Sequence, residues 1–137
     1  MPLEAPGRRY EAVATKATTH GAPAVELNHP GIAAKSQQVA PMVPSVANAA
    51  IAQQIAISEP FIIMLAGKHE VATSLLPGGA VAGTPLYIRA SDNALVLAAT
   101  ALTGGVLNAG FQRFGVIDSI DTTHGRALVN LDLRSSF

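Results

Sequence analysis

From residue 60 onward the apolar runs of this chain never grow long, because glycine, proline or an Asp-Asn pair interrupts them roughly every eight to twelve residues. Runs that short suit strands and leave little room for a three-turn helix. FIIML at 61 to 65 stands between Pro60 and Gly67, and LYIRA at 86 to 90 is parted from ALVLAA at 94 to 99 by Ser91, Asp92 and Asn93. Leu86, Ile88 and Ala90 share one strand face and Tyr87 and Arg89 the other, while Asp-Asn tolerates the left-handed backbone of a tight turn. A β-hairpin is predicted there. In FGVIDSIDTTHGRALVNLDLR, Phe114, Val116 and Ile120 are expected along one side of a strand. On the return strand Ala127, Val129, Leu131 and Leu133 alternate without a break, after a DTTHG turn that ends at Gly125. Six or seven such strands predict a mainly β fold, a small β-barrel or β-sandwich, with at most one short helix.

The first half of the chain is less regular. PAVEL at 23 to 27 is expected as a short strand ended by the turn-like NHPG at 28 to 31. IAAKSQQVAPMVPS at 32 to 45 carries two prolines three apart and suits a chain laid over a surface. The spacing of Ala47, Ile51 and Ile55 permits one helix over residues 46 to 56 with Ser45 as its cap, while IAIS could equally open a strand. Residues 1 to 22 are rich in Pro, Gly, Thr and charge, and only YEAVAT alternates faintly. They fit an extended N-terminal arm or a disordered tail, dispensable for a body formed by residues 23 to 137.

Composition narrows the function classes. Nine basic residues are matched by nine acidic ones, giving a formal charge of zero and no electrostatic footprint for nucleic acid or an acidic membrane surface. Without cysteine there are no disulfides and no thiolate chemistry. MPLEAPGRRYEA has no apolar core of the signal-peptide kind, and VANAAIAQQIAI is broken by polar residues well short of the ~20 residues a membrane span needs, so a soluble protein is expected. Residues 36 to 58 and 71 to 88 carry no formal charge, as expected of segments in a core or against a partner.

Two charged groups invite a chemical reading. Asp118, Asp121 and His124 recur every three residues, with Asp132 close behind. In a strand, residues three apart point to opposite sides, so the group should diverge, with some members shaping the turn through backbone hydrogen bonds. Lys68, His69 and Glu70 are neighbours on a strand end and cannot face one another. No nucleophile elbow, phosphate loop or H-E-x-x-H occurs, and neither Gly78-Gly79 nor Gly104-Gly105 is followed by a lysine and a helix start. No catalytic residue, cofactor or metal site is expected.

The order of these segments then becomes informative. An extended arm, HPGIAAKSQQVAPMVP, FIIMLAGKHEV, a glycine-rich loop, the LYIRASDNALVLAA hairpin and the closing FGVIDSIDTTHGRALVNLDL resemble the head-decoration, or capsid-cement, proteins of tailed bacteriophages. PGIAAKSQQVAPM is similar to the stretch linking arm and body in lambda-type members. The resemblance covers roughly residues 23 to 133 and rests on pattern and order. It implies a β-tulip-like body and a structural protein of the virion, on the outer surface of the capsid, that cements the major capsid protein against genome pressure. It further implies homotrimers at three-fold or quasi-three-fold positions, with neither nucleic acid nor membrane as partner. Capsid contacts would then fall on Arg8, Arg9, Tyr10, Ala12, Ala14, Lys35, Lys68 and His69. The alternatives are another virion surface module, such as a head fibre or a glycan-binding β-domain, and a small enzyme or metal-binding domain built on Asp118, Asp121, His124 and Asp132.

Overall fold

Thirteen short strands among the described residues arrange most of the branched side chains into alternating faces. The computed structural model describes residues 9–35 and 54–137. Four strands, β1 (Arg9–Val13), β3 (Pro23–Glu26), β4 (His29–Lys35) and β6 (Pro60–Met64), form one antiparallel sheet in the order β1-β6-β4-β3. Five others, β7 (Lys68–Ala72), β8 (Pro85–Arg89), β9 (Leu95–Val96), β12 (Phe111–Asp121) and β13 (Arg126–Asn130), form a second in the order β7-β13-β12-β8-β9. Two small ribbons join β2 (Thr18–Thr19) to β5 (Gln54–Ile55) and β10 (Leu102–Thr103) to β11 (Val106–Leu107). One helical turn, α1 (Ala98–Ala101), and two 3-10 turns at Thr73–Leu75 and Leu131–Ser136 complete a mainly β, sandwich-like fold.

The main core collects side chains from both large sheets. Val25 and Ile32 of the four-stranded sheet meet Val71, Leu86, Ile88, Phe114, Ile117, Val129 and Leu131, all buried. Alternation sends the neighbours of Val25 and Ile32 to the other face. There Ala12, Ala14, Ala24 and Ala33 pack with Ile55, Phe61 and Ile63 in a second, alanine-rich cluster. A third and smaller cluster joins Tyr87, Val96 and Ala101, with Phe137 edge-on to the Tyr87 ring at 5.3 Å between centroids.

Several expected elements are found where local pattern put them. FIIML lies in β6, and LYIRA and ALV form the β8–β9 hairpin, with Tyr87 opposite Val96 and Ile88 opposite Leu95. Asn93 takes the left-handed conformation in the turn at φ 60°. Tyr87, on the face opposite Leu86 and Ile88, is buried as well, because α1 and the C-terminal Phe137 cover that side. The second strand is also shorter than expected, ending at Val96 before the chain turns into α1.

Other expectations are corrected. NHPG does not form the turn: Leu27 and Asn28, both with positive φ (47° and 64°), make a two-residue hairpin loop, and His29, Pro30 and Gly31 already belong to β4. Residues 32 to 35 are therefore ladder strand rather than surface chain. Gly31 is needed for closeness, since a Cβ there would stand 2.1 Å from the Met64 carbonyl oxygen of β6. In β12 the register shifts between Arg113 and Gly115 against β8, and between Ile117 and Ser119 against β13. These bulges reset the alternation, so Phe114 and Ile117 are both fully buried although three residues apart, and Val116 is not. Leu133 leaves the alternating series as well, because the chain curls into the 3-10 turn at Leu131 and exposes it.

Residues 9 to 22 also differ from a free-standing arm. β1 pairs with β6 over five register positions, from Arg9 opposite Met64 to Val13 opposite Pro60. Its alternation drives Ala12 and Ala14 under the sheet beside Phe61. Removing residues 1 to 20 would thus uncover part of the core instead of leaving it intact. The helix expected over residues 46 to 56 lies largely outside the described residues, and its last members Gln54 and Ile55 form β5.

Candidate functional site

The hairpin tip between β12 and β13 gathers the polar residues that first suggested chemistry. The Asp121 carboxylate accepts from the backbone amide of His124 at 3.3 Å and lies 2.6 Å from its Nδ1. The amide bond is the turn-shaping role expected of this group, while the side chains of Asp121 and His124 also meet instead of diverging, because the turn folds residue 124 back over residue 121. The His124 contact holds the Asp121 carboxyl below the usual carboxylate range. Beside them Arg126 bonds Glu70 of β7 at 3.2 Å, and Ser119 lines the same shallow cavity of about 410 Å³.

Asp and His so paired, with a serine nearby, are the parts of a nucleophilic triad, yet the geometry is that of a surface turn. No hydrogen bond joins Ser119 to His124 among the described residues, and Asp121 and His124 are 54% and 64% exposed. Water therefore screens the pair, and nothing there desolvates a base or positions a hydroxyl on the free ring nitrogen. Asp118 turns instead to Lys68 at 3.6 Å, and Asp132 accepts from the Gly67 amide at 3.1 Å. Among the described residues no three His, Asp or Glu side chains are placed to hold a metal ion.

The residues expected to meet a partner are dispersed. Arg8 lies outside the described residues. Arg9 and Tyr10 begin β1, and the Tyr10 ring stacks on His29 at 3.8 Å with 6° between planes. Ala12 and Ala14 are buried in the chain's own alanine-rich cluster. Lys35 ties the end of β4 to β5 by donating to the Gln54 carbonyl at 2.6 Å, with Glu59 3.8 Å away. Lys68 and His69 lie on β7, the edge of the five-stranded sheet, where His69 Nε2 is 2.7 Å from the Ala66 carbonyl oxygen. Arg9, Tyr10 and Val13 thus line one sheet edge and Lys68 and His69 another.

Three features escaped the sequence altogether. Glu26 is buried but satisfied: Thr15 donates to its carboxylate from both backbone amide and hydroxyl, at 2.8 to 3.0 Å, with Lys16 3.8 Å away. Asn93 accepts from the Val25 amide at 3.1 Å, joining the tip of the β8–β9 hairpin to the other sheet. Arg134 donates to the carbonyl oxygens of Leu131, Pro30 and Leu65, fastening the C-terminal turn to the four-stranded sheet. Apart from the Arg134 bond to Leu131, three residues away, these hydrogen bonds span from 11 to 104 residues, and no local pattern announces a bond of that reach.

Among the described residues no helix is long and apolar enough to cross a membrane. No family model, no curated protein and no solved structure matches this chain.

Proposed function

We propose that this chain is a structural virion protein that binds the outer face of an assembled phage capsid and cements neighbouring major capsid subunits, acting as a homotrimer. The order of its segments, which resembles that of head-decoration proteins, carries the proposal. A small β body whose buried acid, Glu26, is taken up by Thr15 and Lys16 within the fold is consistent with such a role. β1 adds a physical means of attachment: it is the outermost strand of its sheet, and no described strand pairs with its other side. An edge strand can offer backbone donors and acceptors to an extended segment of a partner. Val13, 58% exposed, adds apolar surface beside that edge. Weak contacts of this kind gain strength when a symmetric oligomer makes many at once.

The decisive experiment mixes purified protein with expanded and unexpanded phage heads and follows co-sedimentation, with cryo-EM of the decorated particle. Attachment to expanded heads, with density at three-fold or quasi-three-fold positions, is expected. Failure to bind either form overturns the proposal, and glycan binding by the isolated protein would redirect it to a receptor-binding surface module.

A further inference from the structure

Most cations of the described chain are matched to carboxylates. Lys16, Lys35 and Lys68 lie within 3.8 Å of Glu26, Glu59 and Asp118, and Arg89 and Arg126 bond Asp92 and Glu70. Arg113 and Arg134 are different. Neither has a carboxylate within ion-pair distance among the described residues, and both line one cavity of about 470 Å³. That cavity forms where the β3–β4 turn, the link after β6, the start of β12 and the C-terminal turn converge.

Arg134 is partly withdrawn from water, which lowers the pKa of its guanidinium. Three backbone carbonyls take three of its five N–H groups, so two donors remain. Arg113 is exposed, and none of its five has a partner among the described residues. Gln112 donates to the Asn28 side-chain oxygen at 3.2 Å, which leaves the Asn28 amide nitrogen as a donor in the same cavity. The lining includes no Asp and no Glu. Two positive charges and several N–H donors without a partner among the described residues make a concave surface with no acid in its lining, Asp132 acting on Arg134 only from outside it.

We propose that this cavity binds an oxyanion, a carboxylate or phosphate group, between the guanidinium groups of Arg113 and Arg134, with the side-chain amides of Asn28 and Gln112 as further donors. The site is independent of capsid attachment and stands or falls separately from it. A ligand carboxylate would accept two parallel N–H bonds from Arg113 and the remaining donors of Arg134. Arg134 would then both fasten the C-terminus and fix one half of the site, while Arg113 serves the ligand alone.

Side-chain and backbone NMR of the full chain at low salt tests this, with inorganic phosphate titrated in one arm and glutarate in the other. Saturable shifts of the Asn28 and Gln112 side-chain amides and of Arg113 Nε are expected with at least one probe. Response to glutarate would point to a carboxylate ligand, and response to phosphate alone to a phosphorylated one. R113Q leaves the Arg134 fastening untouched and should bind about tenfold more weakly, the loss of one charged bidentate contact. K68Q, which removes a cation on another surface, should bind as the parent does. Absence of saturation with both probes overturns the proposal, as does equal affinity in R113Q and the parent chain.

Discussion

The two main clusters of this protein solve the same packing problem in opposite ways. Between the sheets, Leu86, Ile88, Phe114, Ile117, Val129 and Leu131 fill the space with large side chains. On the far face of the four-stranded sheet, four alanines pack with Ile55, Phe61 and Ile63. Large side chains gain stability from the area they bury, whereas small ones allow backbone and neighbouring groups to approach closely. The first cluster should suffer most from lost volume and the second from added volume. That difference explains how a chain with 49% hydrophobic residues, many of them alanine, still has a substantial core.

The sharpest break is expected where backbones are already in contact. Gly31→Ala would push a methyl against the Met64 carbonyl oxygen at 2.1 Å, parting β4 from β6. A loss above about 4 kcal/mol, seen as failure to unfold cooperatively in urea, is expected. Next comes Phe114→Ala in the central cluster, at about 3 to 5 kcal/mol, against the lower end of that range for Phe61→Ala beside the alanines. Equal urea midpoints for these two variants would remove the contrast between the clusters. Adding volume should act the other way round: Ala33→Val, at a buried site opposite Ile63, should cost about 1 to 3 kcal/mol by overpacking.

Smaller effects lie at the surface. Leu27→Asn should stabilise by about 0.5 to 1 kcal/mol, because asparagine accepts the positive φ that leucine resists and the leucine side chain is 78% exposed. A rise in thermal midpoint checks it. The smallest effect belongs to the polar tip. Asp121 titrates below its unfolded value, so its contribution is present above that value and fades as pH falls through the lowered one. Asp121→Asn should flatten the decline of stability on the acid side, and unchanged acid-limb curves would show that the His124 contact has no energetic consequence.

The strands and hairpins that local chemistry specifies were legible: β6 from a short apolar run, β8–β9 from alternation around Asp92 and Asn93, and β12–β13 from a turn ending in Gly125. The faces of β12 were not, since each of its two bulges adds one residue and switches the face of the positions that follow it, a choice made by β8 and β13 together. Nor was the hairpin at Leu27 and Asn28, because leucine gives no turn signal and the adjacent Pro30 and Gly31 gave a false one. β1 was visible only as the faint alternation of YEAVA, and its burial depends on β6, whose register partners lie some fifty residues away.

The sequence by itself determined a mainly β chain of short strands and the positions of its clearest turns. These follow from backbone preferences and from side-chain alternation, which act within a few residues. Tertiary structure alone decided that Ala12 and Ala14 belong to the core, that Asn93 and Arg134 tie the sheets and C-terminus together, and that Arg113 and Arg134 share one cavity with no acid in its lining. Burial and charge pairing depend on which surfaces meet, and those surfaces come from segments that are far apart along the chain.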